Sequence, residues 1–243
     1  MSHGDIVSHG AAPLVAGVDR WRKGWVVAVV TPTSNEALPS ARIERLSTLA
    51  TAVDLIDHLK DCQVVAIDMP MAVPEHGKRQ AEVELRSYLG RSGSSVFTTP
   101  TGAAIGAASQ SEATEINRSH GGPGISAQAW GLVASINELR AAWLEHQPRG
   151  WFETHPESAF AVLNDDVPLA SKRSAQGVGQ RLEFLEPLIE GLDLKTAPAK
   201  VPVDDVLDAV AAGWSACRIS SGRERTFGAA GPDHQGFEAS IRI

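Results

Sequence analysis

Hydrophobic positions fall into short unbroken runs near the start of the chain and into helical spacings later. LVAGVD (residues 14–19) is apolar without alternation and closes on a carboxylate, as expected of a strand buried on both faces. RWRKG follows as a polar turn, and WVVAVVT (residues 25–31) is a second run, so the pair predicts a hairpin. Residues 41–46 predict a third strand. In STLATAVDLIDHLKD (residues 47–61), a serine start precedes Leu49, Val53, Leu55, Ile56 and Leu59 at helical spacing, which predicts a helix. CQVVAID (residues 62–68) reads as another buried strand, and Pro70 blocks its continuation.

Residues 71–148 break this pattern. They hold a helical segment at 79–89, a Gly/Ser/Thr-rich loop at 90–106, the link HGGPG, and a strong helix at 126–145. The stretch is expected to be a mostly helical insertion with one long functional loop. Strand character returns at 150–154, and helices are predicted over 179–190 and 203–220. Two or three strands, a helix, a strand, the insertion, a strand and more helices specify a mixed α/β sheet flanked by helices. Residues 1–12 are small, polar and aperiodic, so they are expected to form a flexible arm before a single domain over 13–243.

The 243 residues are 43% hydrophobic, enough for one substantial core. There is no apolar run of membrane-spanning length and no secretory pattern at the start, so a cytoplasmic protein without a membrane partner is expected. Cys62 and Cys217 fit no metal or redox spacing and are expected to be buried reduced thiols. No HxxxH or HExxH pair suggests a zinc hydrolase. A net charge of −7 argues against a nonspecific nucleic-acid coat, but leaves room for an enzyme that uses a local basic rim.

The candidate chemistry lies in carboxylates. Asp19 and Asp68 each end a predicted strand, where open α/β sheets bind ligands. Taken singly, either could cap a turn. In VDDVLDAVAAGW, Asp205 and Asp208 share a helix face near its start, Asp204 fits the N-cap position, and small Ala209, Ala212 and Ala216 lie near the same face. Acids at a helix start are also commonly just dipole partners. In WFETHPES, Glu153, His155 and Glu157 alternate and would face one way in an extended segment; a salt-bridged loop is the plainer alternative. Several carboxylates gathered from distant segments repel one another unless a divalent cation binds, and oxygen donors suit Mg²⁺ or Mn²⁺. Two such ions about 4 Å apart can hydrolyse a phosphodiester.

The GVD strand, the strand ending AIDMP, LGRSGSSVFTTP, ETHPE and DDVLDAVAAGW occur in that order. In this order they resemble domain-of-unknown-function family 429, predicted ribonuclease-H-like nucleases, from Leu14 to the end. The resemblance implies a ribonuclease-H-like fold with acids from the first strand, a central strand and the final helix as metal ligands. It carries that role to Asp19, Asp68, Asp205 and Asp208.

In RSGSSVFTTPTG, backbone amides and the hydroxyls of Ser94 and Ser95 could hold a phosphate, although the spacing is not that of a Walker loop. Arg79, Arg86 and Arg91 before it, with Lys172, Arg173 and Arg181 later, are candidates for a phosphate-binding rim; each alone could be a solvated helix charge. Trp21, Trp25 and Trp130 could stack on bases or pack in the core. The leading expectation is a metal-dependent nuclease acting on short, structured or single-stranded nucleic acid. Asp19, Asp68, Asp205 and Asp208 would hold metal, Glu157 would complete the site or orient water, and His155 would shuttle a proton. A non-catalytic binding protein is the alternative. An actin- or sugar-kinase-like phosphotransferase ranks below both, because RWRKGW offers one glycine where a nucleotide hairpin needs more. A homo-oligomer is left open.

Overall fold

The computed structural model describes residues 13–233 and 235–243; the expected arm at 1–12 lies outside the described residues. Strands β1 (Val15–Trp21) and β2 (Gly24–Pro32) form the expected antiparallel hairpin, and β3 (Ala41–Leu49) pairs antiparallel with β2. After helix α1 (Ala52–His58), strand β4 (Val64–Asp68) returns parallel to β1. Helix α2 (Gln80–Leu89), 3-10 turns Gly90–Ser95 and Ala104–Gly106, α3 (Gln110–Ser119) and α4 (Ala127–His146) follow. Then come β5 (Trp151–Glu153), α5 (Pro156–Leu163), α6 (Ala175–Leu185), β6 (Ile189–Glu190), α7 (Val203–Ser220), β7 (Thr226–Phe227) and β8 (Ile241–Arg242).

The sheet order is β6-β3-β2-β1-β4-β5-β8-β7. This mixed sheet, with an antiparallel three-strand meander continued by parallel strands and flanked by helices, is the mixed α/β class expected from the sequence. Both faces are covered, which explains the unbroken apolar runs of β1, β2 and β4. Ala16, Val18, Val65 and Ile67 pack toward α1 and α4; Val15, Val64 and Ala66 pack toward α5, α6 and α7. By pleat parity, Gly17 and Asp19 share the α7 side with Val15, and Asp68 shares it with Val64 and Ala66.

Several boundaries differ from the expectations. Ser47–Leu49 do not begin a helix: Thr48 and Leu49 pair with Val26 and Trp25 of β2. The helix starts at Ala52, where the Thr51 side chain accepts from the Asp54 amide. The helix expected at 179–190 runs from Ala175 to Leu185, because Ser174 caps it by accepting from the Gly177 amide and Pro187 prevents extension. Asp204 is not the N-cap of α7; Pro202 holds that position and Asp204 lies in the first turn. Cys217 is buried, Cys62 is only half-buried, and both thiols are free. No helix among the described residues is long and apolar enough to cross a membrane.

Helix α7 lies unusually close to β1. A Cβ placed on Gly17 would stand 1.9 Å from the Gly213 amide nitrogen and 2.1 Å from the Ala209 carbonyl oxygen. A Cβ on Gly213 would meet nothing nearer than 3.5 Å. Gly17→Ala is therefore expected to destabilise by about 3 kcal/mol or more, through forced separation of backbone from backbone. Gly213→Ala should be neutral or stabilising by up to about 1 kcal/mol from helix propensity. Urea unfolding of both variants checks this contrast; equal losses would contradict it.

Candidate functional site

The parallel register of β1 and β4 sets Asp19 directly beside Asp68, both at the carboxyl ends of their strands. Asp19 is buried, and Asp68 is nearly so. Helix α7 crosses the same face and brings Asp208, 1% exposed, to the same cleft. Asp205, one turn earlier, lines its mouth. The cleft has a volume of about 660 Å³.

Burial drives the electrostatics of this cluster. It raises Asp19 well above the ordinary carboxyl value, and the charges of Asp68, Asp208 and Asp205 raise it further. Burial takes Asp68 up to about 7, against the lowering charge of Lys172. Asp208 rises to about 6 for the same reason, again opposed by Lys172, and Asp205 reaches about 6 through burial and Asp204. Lys172, on the segment between α5 and α6, donates its ammonium to Asp208 Oδ2. Burial alone would lower the Lys172 pKa, but Asp208, Asp68 and Asp19 raise it above the ordinary lysine value.

Glu157 and His155 also line the cleft. Glu157, in the first turn of α5, accepts from Arg181 Nη2 at 2.6 Å. Arg181 also lines the cleft but is itself buried, with Nη1 donating to the carbonyls of Ala170 and Gly177 at 3.0 Å each and Nε left without a partner. His155 precedes Pro156 at the helix start; burial lowers its imidazole pKa, and its Nδ1 has no hydrogen-bond partner.

Glu153 departs from the expected alternation. Strand β5 ends there and α5 begins at Pro156, so Glu153 turns away from the cleft to a buried pair with Arg79. Arg79 is only 6% exposed; Nη1 and Nη2 each donate to Glu153 at 2.8 Å, and Nη1 also reaches Glu82 at 3.4 Å. Its donors are thus committed inside the protein, and the expectation of a phosphate-binding Arg79 is corrected. Arg86 is corrected likewise: its guanidinium donates to the Val96 carbonyl at 2.6 and 2.9 Å and to Thr98 Oγ1 at 2.8 Å. It thereby braces the loop whose Ser94 and Ser95 line the cleft. Arg91, Lys172 and Arg173 line the cleft as well. Trp25 is fully buried, and neither Trp21 nor Trp130 lines the cleft, so none of the three is placed to stack on a ligand there.

Arg20, Gln128 and Phe97 complete the walls and escaped sequence reasoning. Arg20 sits one residue after Asp19, with Nε donating to Ser135 Oγ at 2.8 Å. Only its place beside a strand-end acid hinted at this position. A separate cleft of about 610 Å³, lined by His76, His120 and Arg140, contains none of the carboxylate cluster.

The donor set suits a hard divalent cation: carboxylates only, with Asp19 and Asp208 buried, Asp68 and Asp205 half-buried, and Asp208 Oδ1 lacking any partner. As they stand, however, no group of three His, Cys, Asp or Glu among the described residues converges enough to hold a metal. The ammonium of Lys172 occupies one side of Asp208.

Residues 17–232 match the family described as "Protein of unknown function (DUF429)". The RuvC structure of Thermus thermophilus is similar at 12% identity and a TM-score of 0.40, over 86% of this chain and 96% of that one. T. thermophilus RuvC in complex with a Holliday junction substrate gives 15% identity and a TM-score of 0.37, over 86% and 97%. No curated protein matches the chain.

Two outcomes are expected. Arg79→Met should cost about 3–5 kcal/mol in urea unfolding by stranding Glu153, whereas Arg91→Met should change stability little; a mild Arg79→Met would contradict the buried role. Because Asp68, Asp205 and Asp208 bind protons more readily folded than unfolded, the folded state carries extra protons from the ordinary 3.8 up to about 7. Stability must therefore fall as pH rises through that window. Melts in chelator should show a lower Tm at about pH 7.5 than at about pH 5, with a smaller difference in Asp68→Asn. A wild-type Tm that rises with pH would refute the assignment.

Proposed function

The chain belongs to the DUF429 family, and from the cleft that it builds we propose a divalent-metal-dependent nuclease. The observation that carries this reading is that Asp19, Asp68 and Asp208, from two neighbouring parallel strands and one helix, line one cleft together with Arg91, Lys172 and Arg173. Buried like charges with an orphaned oxygen are costly unless a cation joins them. Asp19, Asp68 and Asp208, with Asp205 at the mouth, would hold Mg²⁺ or Mn²⁺. The ion, when bound, would activate water and stabilise charge on the phosphate oxygens.

The remaining groups take roles that follow from their surroundings. Arg181 holds Glu157 by a hydrogen bond of 2.6 Å, and the Glu157 carboxylate would orient water. Burial disfavours the charged form of His155, whose buried Nδ1 has no partner, and this nitrogen would accept a proton. Arg91, Arg173 and Ser94 would supply donors for the phosphate backbone, whereas the Ser95 hydroxyl already donates to the Ser92 carbonyl at 2.7 Å. The overall charge of −7 favours short, structured or single-stranded nucleic acid over long bare duplex, with Arg91 and Arg173 as local counter-charge at the cleft.

A non-catalytic binding role is the second reading. The ion pair of Lys172 with Asp208 favours it, because it partly neutralises the cluster without metal. That reading requires no cleavage and no effect of metal on melting.

The test is cleavage of end-labelled single-stranded DNA, single-stranded RNA and branched DNA with Mn²⁺ or Mg²⁺. Cleavage of at least one substrate is expected. Asp19→Asn and Asp208→Asn should each slow it about a hundredfold or more, as loss of several kcal/mol of Lewis-acid stabilisation requires. Full activity in either variant would end the nuclease reading.

A further inference from the structure

This inference rests on the metal-dependent reading above and concerns how the cluster is held before a metal enters it. Asp208 is 1% exposed, yet only one of its oxygens is satisfied: Oδ2 accepts from Lys172, and Oδ1 has no partner. Asp19 and Asp68 stand in register beside each other in the same cleft. Lys172 is the cation whose charge acts on Asp208, Asp68 and Asp19 together.

The backbone around Lys172 is pinned. The Ala170 amide donates to Gln180 Oε1 at 2.8 Å, the Ala170 carbonyl accepts from Arg181 at 3.0 Å, and the Ser174 amide donates to the Ser171 carbonyl at 2.9 Å. The Lys172 side chain itself is 35% exposed. A lysine on a fixed backbone moves its ammonium by rotating a flexible four-carbon stem, with no rearrangement of the fold. Open solvent and the cationic rim of the cleft lie within that reach.

We propose that Lys172 is the resident counter-cation of the carboxylate cluster, and that a divalent cation binds by displacing its ammonium from Asp208. The released ammonium then faces the cleft, where a phosphate would meet it. Lys172 is thus a positioning residue that sets metal affinity and couples it to substrate. This accounts for two facts together: the carboxylates do not converge as a metal-holding group, and Asp208 Oδ1 is left without a partner. A purely structural salt bridge predicts the opposite sign on removal. It would leave a destabilised protein that binds metal no better, or worse.

The experiment is a calorimetric titration with Mn²⁺ alone, with melts in chelator and in Mn²⁺, on wild type and Lys172→Met. Exposed Lys60→Met, which makes the same change in net charge, is the control. Lys172→Met should melt lower than wild type in chelator, gain more from Mn²⁺, and bind Mn²⁺ about tenfold tighter, a usual size for coupling between competing ligands. Lys60→Met should bind as wild type does. Unchanged or weaker Mn²⁺ binding by Lys172→Met overturns the proposal while leaving the metal site standing. Absence of Mn²⁺ binding in both proteins overturns the metal reading itself. If Lys172→Met fails to fold, wild-type protein supplies the readout. Amine labelling of Lys172, followed by mass spectrometry, should be slow in chelator and faster in Mn²⁺; equal labelling under saturating Mn²⁺ overturns the proposal.

Discussion

The backbone contact between Gly17 of β1 and the Ala209–Gly213 turn of α7 is the constraint from which the rest of the site follows. No side chain separates strand from helix there. Helix α7 can therefore lie against β1 and β4 with its small residues inward, and Trp214 anchors it by donating to the Pro39 carbonyl at 3.0 Å. Asp208 lies one residue before Ala209 and so enters the cleft at the level of the strand ends. Gly17 and Asp19 share a sheet face because side chains alternate along a strand. The same parity that admits the helix at Gly17 presents Asp19 to it two residues later.

Such closeness imposes an electrostatic problem, and the protein handles it by sorting its charges into separate buried groups. Glu153 is given Arg79, Glu157 is given Arg181, and Asp208 is given Lys172. Arg79 also reaches Glu82 and the Ala239 carbonyl, and Arg181 spends Nη1 on the Ala170 and Gly177 carbonyls while its buried Nε has no partner. Both pairs are rigid, since each guanidinium is held at several points by groups inside the protein. The third differs. A single flexible ammonium faces several carboxylates, and one oxygen of Asp208 is left over. The incomplete pairing at Asp208, against complete pairing at Glu153, distinguishes a site from a support.

What could be read from the sequence follows the same division. Asp19 and Asp68 were legible because unbroken apolar runs ending in a carboxylate have few explanations other than a strand end at the edge of a core. Asp205 and Asp208 were legible from their spacing on a strongly periodic helix. Glu153 and Arg79 were not, because local spacing says nothing about partners 74 residues apart, and Pro156 turned an apparent extended run into a helix start. The same limit hid Arg86, whose partners are loop atoms at Val96 and Thr98. Strands β6, β7 and β8, at two residues each, are too short to carry any period. The 47–51 boundary was decided by β2, which supplies a ladder partner as far as Leu49.

Charge places a last condition on what the cleft can accept. A phosphodiester approaching Asp19, Asp68 and Asp208 meets like charge, and the chain as a whole is acidic. Arg91, Arg173 and Arg20 line the walls, but they cannot cancel repulsion at the floor, where Lys172 is the cation in contact with Asp208. A substrate phosphate can reach the floor only if positive charge is added there, and a divalent cation adds more than the ammonium it would replace. On the proposed reading, a bound cation would release Lys172 from Asp208, and its ammonium would become one more donor for an incoming phosphate. Metal entry and substrate entry would then be linked through one side chain, supplying charge to the carboxylates first and to the phosphate afterwards.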